Sequence, residues 1–193
     1  MTPDPSRGWD AIARRFIAAR SDIGADVVRH WATRLPPGAA VLDVGCGSGA
    51  PVGETLVAAG FAVFGVDASP TLVAEFRRRL PSAEVACEPA ETSRLFDRRF
   101  DGALAVGLLF LLPAEDQRAV IARIARALEP GGRFLFSAPR QACQWTDSLT
   151  RQPSESLGED EYRRALQQAG LRPSGHYDDG GGNHYFDAVR ATA

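Results

Sequence analysis

Short apolar runs typical of buried strands alternate along this chain with stretches whose apolar residues recur at helical spacing. The clearest helical stretch is Ala114 to Leu128, where Val120, Ile121 and Ile124 share one face. The pattern predicts helices over 9–35 (interrupted near Ser21-Asp22), 51–59, 70–80 behind a Ser69 cap, 114–128 and 159–169. It predicts strands over 41–44, 61–66, 83–87, 100–106, 133–137, 172–177 and 184–190.

Strands that alternate with helices are joined by right-handed crossovers, which produce a mostly parallel sheet with helices on both faces. The connection between the last two strands, Asp178 to Asn183, is too short for a crossover, so the last strand should be antiparallel to its neighbour. We therefore expect a single doubly wound α/β sheet of seven strands over 39–193, with an N-terminal helical cap over 1–38. Ligands of such sheets bind at the carboxyl ends of the strands, near the switch point.

The segment 138–158 shows no regular period, and we expect a connection of about 20 residues at the carboxyl edge of the sheet. Connections of this length are usually functional or disordered. Trp145 within it must be buried against other residues, either as a wall of the substrate pocket or as a packing anchor. The neighbouring Asp147 is a candidate catalytic residue.

Length and composition exclude several classes of protein. The chain has 193 residues, of which 45% are hydrophobic and 24% charged, which fits one folded domain and not a disordered chain. Its longest apolar run, Ala103 to Pro113, is about half of what a membrane helix needs. The N-terminus, from Met1 to Arg7, lacks the apolar stretch of a signal peptide. We therefore expect a cytoplasmic protein with no membrane partner.

Residue types that are missing narrow the chemistry further. All 22 basic residues are arginine, which excludes a Schiff-base lysine and a phosphate loop with its lysine. Three cysteines without C-x-x-C spacing and three histidines give neither a disulfide framework nor a zinc site, so we expect no metal. A net charge of -2 argues against a nucleic-acid partner, and we interpret the arginine runs at 77–79 and 98–99 as solvated faces.

The strand at Val41 to Val44 runs into a glycine-rich turn, in which Gly45 and Gly47 permit close approach of a ligand to the backbone. The turn also satisfies the dinucleotide pattern G-x-G-x-x-[GA], with Asp67 about 20 residues further on to bind ribose hydroxyls. Asp43 discriminates between the two interpretations. A negative charge at this position opposes a pyrophosphate and favours a cationic ligand.

These motifs, with Phe100-Asp101 and Leu128-Glu-Pro-Gly-Gly132 further along, resemble those of class I S-adenosylmethionine-dependent methyltransferases. The resemblance implies that the turn from Asp43 to Gly49 holds the methionine part of S-adenosylmethionine and that Asp67 binds its ribose. It implies adenine contacts from Ala68 and, where the family often has Gly-Asp-Ala, from Glu88 or Ala90. The cofactor residues that follow from it are Asp43, Gly45, Cys46, Gly47, Gly49, Asp67, Ala68, Glu88, Ala90, Ala105 and Val106.

The resemblance, the small size and the absence of an appended recognition domain predict direct methyl transfer to a small-molecule acceptor. Substrate candidates are Trp9, Arg20, Trp145 and Tyr185. His184 begins the last strand at the carboxyl edge, where it is either a general base or a packing histidine. Two other functions stay open at this point: a nucleotide-dependent oxidoreductase of the NAD type, and a non-catalytic module that binds S-adenosylmethionine.

Overall fold

A seven-stranded sheet forms the centre of the computed structural model, which describes residues 4–192. Its strands are β1 (Ala40–Val44), β2 (Ala62–Asp67), β3 (Glu84–Cys87), β4 (Phe100–Ala105), β5 (Leu128–Ser137), β8 (Leu171–Asp178) and β9 (His184–Arg190). They lie in the order β3-β2-β1-β4-β5-β9-β8, and β9 alone runs antiparallel to its neighbours. The predicted doubly wound sheet with an antiparallel last strand is confirmed.

The sheet brings the carboxyl ends of its central strands to one edge. Strand β1 pairs with β2 on one side and with β4 on the other, which makes it the switch point of the sheet. Val44, Asp67, Ala105 and Ser137 therefore end β1, β2, β4 and β5 along the same edge. This is the edge at which such sheets bind ligands.

Six helices cover the sheet: α1 (Trp9–Ala19), α2 (Ala25–Ala32), α3 (Val52–Ala58), α4 (Pro70–Arg79), α5 (Ala114–Ala127) and α6 (Glu159–Gln168). Alternate strand residues face opposite layers. Val41 and Leu104 pack with Trp31, Leu56 and Phe76 of α2, α3 and α4. On the other face, the strand residues Leu42, Ala103 and Phe136 pack with the helix residues Ile121, Ile124, Tyr162 and Leu166. No helix within residues 4–192 is both long and apolar enough to cross a membrane.

The N-terminal helices are tied to the domain by two carboxylates. Asp10 of α1 accepts hydrogen bonds from the Ser69 hydroxyl (2.6 Å) and the Thr71 amide (2.9 Å) at the start of α4. Asp187 of β9 accepts one from the indole of Trp31 in α2 (3.2 Å). Both helices thus pack on the sheet domain, whereas the division into units at residue 38 stays a prediction. Residues 1–3, part of the predicted cap and of the N-terminus considered for a signal peptide, lie outside the described residues.

The connection expected over 138–158 joins β5 to α6 and contains regular structure that its sequence does not predict. Two short strands, β6 (Cys143–Thr146) and β7 (Pro153–Ser156), form an antiparallel hairpin there. Glu155 of β7 connects the hairpin to helix α5. Its carboxylate accepts a hydrogen bond from the Ala114 amide (2.6 Å), and its carbonyl accepts one from the Gln117 side chain (3.0 Å). Strands as short and as polar as these are held by tertiary contacts, so no hydrophobic period marks them in the sequence.

Candidate functional site

A cavity of about 400 Å³, called the main cavity below, opens at the carboxyl edge of the sheet. Its walls come from the turn after β1, the ends of β2 and β4, and helix α1. The polar residues on these walls include Arg20, Asp67, Glu91 and Asp147. Phe16, Leu108 and Phe110 are among the apolar ones. The cavity therefore offers both charged and apolar surface to a ligand of moderate size.

The glycine turn is fixed against β2 by its own backbone. The amides of Gly45 and Cys46 donate to the carbonyl of Val66 (2.7 and 3.1 Å). Gly45 has a φ of +75°, and a Cβ at this position would lie 3.0 Å from the side chain of Leu108. Only glycine combines this conformation with such a close approach, which keeps the backbone itself exposed to the cavity.

Asp67 connects the turn to the end of β2. One carboxylate oxygen accepts from the Gly47 amide (2.9 Å) and the other from the Ser69 amide (2.8 Å). Burial raises the pKa of Asp67, although these two hydrogen bonds work in the opposite direction. Since a carboxylate oxygen can accept more than one hydrogen bond, both oxygens keep capacity for a ligand in the main cavity.

Asp43 is a buried carboxylate, 2% exposed, and its Oδ2 has no hydrogen-bond partner among the residues that the structure describes. Burial raises the pKa of Asp43 to about 7, and the negative charge of Asp67 adds to this effect. The charge of Arg20 acts in the opposite direction. An ionised carboxylate without a partner in such a place is costly unless a cation approaches it.

Arg20 provides a positive charge on the opposite wall. Its Nε donates to the carbonyl of Ala50 (2.9 Å), and its guanidinium lies 4.9 Å from the ring centroid of Phe16. Within residues 4–192, the guanidinium forms no salt bridge, and burial lowers its pKa. The main cavity thus holds a guanidinium free to bind an anionic group, near the buried charge of Asp43.

The structure brings most of the predicted site residues together. Those that line the main cavity are Gly45, Cys46, Gly47, Asp67, Ala68, Ala90 and Val106 of the cofactor set, and Trp9, Arg20, Tyr185 and Asp147 of the others. Asp43, Gly49, Glu88 and Ala105 do not line it. Asp43 still acts on it through its charge, whereas Glu88 accepts a hydrogen bond from the Arg94 amide (3.2 Å).

Glu91 lines the cavity in place of Glu88, and sequence reasoning missed it. Its position depends on the turn after Ala90, which no motif marks. Asp147 also lines the cavity, and its catalytic role stays a prediction. One of its oxygens accepts from the amides of Leu149 and Thr150 and from the Thr150 hydroxyl (3.0, 2.6 and 2.8 Å), which caps the turn of the hairpin. The catalytic interpretation of Asp147 therefore has no support in its contacts.

His184 and Trp145 lie outside the main cavity, in a neighbouring concavity that we call the side recess. Phe110, Ser137 and Asn183 line both spaces, so the two are neighbours. Trp145 packs against Phe110 with ring centroids 5.5 Å apart. Its position fits both interpretations, since it is a packing partner of Phe110 and a wall of this recess.

Tyr185 follows His184 in β9 and points to the opposite face of the sheet, as alternation in a strand requires. Its hydroxyl donates to Oδ2 of Asp179 (2.8 Å), and a Cβ on Gly24 would collide with that hydroxyl. Burial raises the pKa of Tyr185, and its hydrogen bond to Asp179 acts in the same direction. Tyr185 therefore stays a protonated donor on the wall of the main cavity.

Comparison with known proteins gives a consistent result. Residues 41–132 match the model of a methyltransferase domain family. Trans-aconitate 2-methyltransferase of Methylobacterium nodulans is 36% identical over 135 residues, which are 68% of this chain and 50% of that protein. Carboxy-S-adenosyl-L-methionine synthase of Chromohalobacter salexigens is 40% identical over 111 residues, 52% of this chain and 40% of that protein. The matched part thus spans half the length of these curated relatives or less.

The fold is shared with a solved structure over nearly the whole chain. Magnesium protoporphyrin IX methyltransferase from Synechocystis, solved with bound S-adenosylmethionine, superposes with a TM-score of 0.77 at 18% identity. The superposition covers 99% of each chain. Within residues 4–192, no group of three or more His, Cys, Asp or Glu side chains is arranged to hold a metal ion.

Proposed function

Because the chain belongs to the class I S-adenosylmethionine-dependent methyltransferases, we propose that it transfers a methyl group from S-adenosylmethionine to a small-molecule acceptor. The observation that carries the proposal is the buried Asp43 carboxylate, with an unpartnered oxygen directly before the glycine turn. S-adenosylmethionine has an ammonium and a sulfonium group, and a cation beside Asp43 compensates its charge. The residues present therefore fit this cofactor.

The methionine end would lie between Asp43 and Arg20. Its ammonium group would sit towards the carboxylate of Asp43, and its carboxylate towards the guanidinium of Arg20. A guanidinium that already packs on Phe16 is pre-oriented to bind a carboxylate. This assignment gives a partner to the buried charge of Asp43 and to the charge of Arg20.

The adenosine end would lie over the end of β2. Asp67 keeps acceptor capacity on both oxygens for the ribose hydroxyls. Ala68, Leu72 and Ala90 provide an apolar slot for the adenine ring, and Glu91 at its rim takes the position expected for Glu88. A ring in such a slot is recognised by its apolar faces and by few polar contacts at its edge.

The acceptor would occupy the side recess and reach the main cavity past Phe110, Ser137 and Asn183. Trp145 and Phe110 form an aromatic wall there, which suits a flat or ring-containing acceptor. His184 lies at the back of the same recess with its Nδ1 against Asp178. We assign it as the base for an acceptor that loses a proton.

When bound, S-adenosylmethionine supplies a methyl group on a positively charged sulfur. A nucleophile of the acceptor takes this methyl group directly, and the sulfur leaves with the electron pair of the broken bond. The chain contributes orientation: the glycine turn, Asp67 and Arg20 hold one reactant, and the walls of the side recess hold the other. Trp9, Phe16 and Leu108 line the main cavity and would exclude water from the space between the two reactants. His184 takes the acceptor proton, and the carboxylate of Asp178 stabilises the charge that the ring gains.

Calorimetry tests the cofactor directly. We expect one molecule of S-adenosylhomocysteine to bind per chain and neither NAD nor NADH to compete for the site. Tight NAD binding would show that the dinucleotide interpretation of the turn is correct and that this proposal is wrong. The cytoplasmic location stays a prediction from the sequence.

Turnover tests the transfer itself. We would follow the release of S-adenosylhomocysteine with a panel of carboxylic acids, phenols and amines, which includes trans-aconitate because one relative is named for it. Product formation with at least one member supports the proposal. Cofactor binding without turnover on any acceptor class would instead favour a module that only binds S-adenosylmethionine.

A further inference from the structure

A second concavity lies at the opposite edge of the sheet, where β4 begins and α5 ends. It measures about 330 Å³, and a strand of six residues, roughly 20 Å, separates it from the main cavity. Five arginines line it: Arg94, Arg98, Arg99, Arg123 and Arg126. Asp97 is the one carboxylate among its lining residues, so this arginine recess carries a net charge of +4.

Within residues 4–192, most of these positive charges have no carboxylate partner. Arg94 pairs with Asp97, and both side chains are largely exposed. Arg99 donates to the carbonyl of Leu128 (3.3 Å), and Arg123 donates to the carbonyl of Ser93 (3.1 Å). Neutral carbonyls orient a guanidinium without cancelling its charge. Four cations are thus gathered around one concavity in a chain whose overall charge is -2.

Arg98 is oriented by aromatic rings instead. Its guanidinium lies 4.3 Å from the ring centroid of Phe64 and 5.3 Å from that of Phe100. Packing on a ring face fixes the plane of the guanidinium while its N–H groups stay at the edge. A planar fork of donors held in this way matches the oxygens of a phosphate group.

The wall of the recess has an unusual backbone. Leu95, Phe96 and Asp97 have φ values of +48°, +61° and +50°, a left-handed turn that residues other than glycine rarely adopt. The buried side chain of Leu95 and the contact of Phe96 with Phe64, 5.3 Å between centroids, hold this turn. Strain of this kind concentrates at ligand sites. Here it fixes the chain between Arg94 and Arg98.

We propose that the arginine recess binds an anion with several linked phosphoryl groups, either a free polyphosphate or the phosphate chain of a nucleotide. Its volume lies in the range of small-ligand sites, and it is a local concavity, whereas a bound nucleic-acid strand needs an extended basic groove. The earlier interpretation of Arg98-Arg99 as a solvated face did not include the α5 arginines. This site is independent of the methyl transfer proposed above.

Titration calorimetry with inorganic tripolyphosphate tests the proposal, with the main cavity first saturated with S-adenosylhomocysteine. We expect one saturable site whose affinity falls with salt. The double variant Arg123→Gln/Arg126→Gln should bind at least about tenfold more weakly. The matched control, Arg163→Gln/Arg164→Gln, also removes two helical arginines and should change the affinity less than about twofold. If S-adenosylhomocysteine does not bind, the same titration without it still reports on the recess.

Three outcomes would overturn the proposal. The first is the absence of saturable binding to the unaltered protein at low salt. The second is an equal loss of affinity in the two double variants while both keep the unaltered thermal midpoint, because binding would then follow net charge alone. The third is a single-stranded RNA of about ten nucleotides that binds more tightly than tripolyphosphate and depends on the same arginines. If the first double variant unfolds, Arg99→Gln/Arg126→Gln replaces it, and a parallel titration with ATP distinguishes a nucleotide from a free polyphosphate.

Discussion

His184 Nδ1 lies 2.8 Å from Oδ1 of Asp178, its partner across the pairing of β8 and β9. The imidazole is 7% exposed and packs edge-on against Phe186, with centroids 4.8 Å apart. A carboxylate on one ring nitrogen fixes the ring and leaves Nε2 as the nitrogen available to the side recess. This is the arrangement of a base held by a second residue.

Replacement of His184 should reduce turnover without reducing cofactor affinity. We expect His184→Gln to lower kcat about 100-fold, the usual scale of lost general-base catalysis. Its affinity for S-adenosylhomocysteine should stay unchanged, because His184 lies outside the main cavity. Single-turnover rates across neutral pH provide the measurement.

Arg163→Gln is the matched control, since Arg163 pairs with Glu159 on the surface and lines neither the main cavity nor the side recess. It should keep nearly full turnover. Asp178→Asn should lose less than His184→Gln, because the imidazole can still take the proton without the charge of Asp178 beside it. Full activity in His184→Gln would leave His184 as a packing residue.

We expect Asp67 to contribute to cofactor affinity by binding the ribose hydroxyls. Asp67→Ala is expected to weaken S-adenosylhomocysteine binding by about 1–3 kcal/mol, the worth of a hydrogen bond to a charged group. Part of that loss comes from the turn, because Asp67 also accepts from the amides of Gly47 and Ser69. Calorimetry with the 2′-deoxy analogue separates the two. The unaltered protein should discriminate against the analogue, and Asp67→Ala should not; equal discrimination by both would remove Asp67 from the ribose site.

Asp187 should determine stability and not binding. Its side chain is fully buried and accepts from Trp31 and Arg34, with Arg133 as a second ion-pair partner. Removal of one partner of a buried ion pair lowers the free energy of unfolding by about 3–5 kcal/mol. For a chain of this size, Asp187→Ala should lower Tm by roughly 10 °C. Arg34→Ala is the control, because Arg34 is 41% exposed and should cost less than about 1 kcal/mol. Similar losses in the two variants would contradict the central role of Asp187.

The sequence predicted the sheet well because its strands carry strong local signals. Runs such as Phe61 to Val66 contain no polar side chain, and Ser69-Pro70 caps α4 as predicted, with the Ser69 hydroxyl accepting from the Leu72 amide. The hairpin of β6 and β7 was missed because its stability depends on Glu155 and on contacts with α5. Such contacts join residues far apart in sequence, and no local pattern reports them.

The sequence predicted the part of the site that depends on the backbone of one turn. It did not predict the part that depends on how strands, helices and loops pack against each other. Gly45, Gly47 and Asp67 line the main cavity as the motif predicts. His184 was expected beside the cofactor. It lies on the other face of the sheet from Tyr185 and therefore lines the side recess and not the main cavity. Glu91 lines the cavity, and no pattern in the sequence predicted this.

Asp43 should distinguish the charged cofactor from its neutral product. Asp43→Asn keeps the shape of the side chain and removes the charge that faces the cavity. We expect the affinity for S-adenosylmethionine to fall more than that for S-adenosylhomocysteine, since only the former has a sulfonium group. Calorimetry on both ligands gives the ratio, with Cys87→Ser, an exposed position at the end of β3, as the control. Equal losses would show that Asp43 does not act on the sulfonium and contributes only through the turn or through the ammonium group, which both ligands share.

The same carboxylate should make the stability of the ligand-free protein depend on pH. Burial raises the pKa of Asp43 from its ordinary value of 3.8 to about 7 in the folded chain, so the folded state binds more protons than the unfolded state between these values. Stability should therefore fall as pH rises through this window, by up to about 4 kcal/mol from Asp43. Urea unfolding at pH 5 and pH 7.5 measures the loss, and Asp43→Asn should lose less than the unaltered protein. Part of the slope stays in the variant, because burial also raises the pKa of Asp67. Identical slopes in the two proteins would mean that Asp43 is compensated in the folded state by charges already present, which would also remove the reason for a cation beside it.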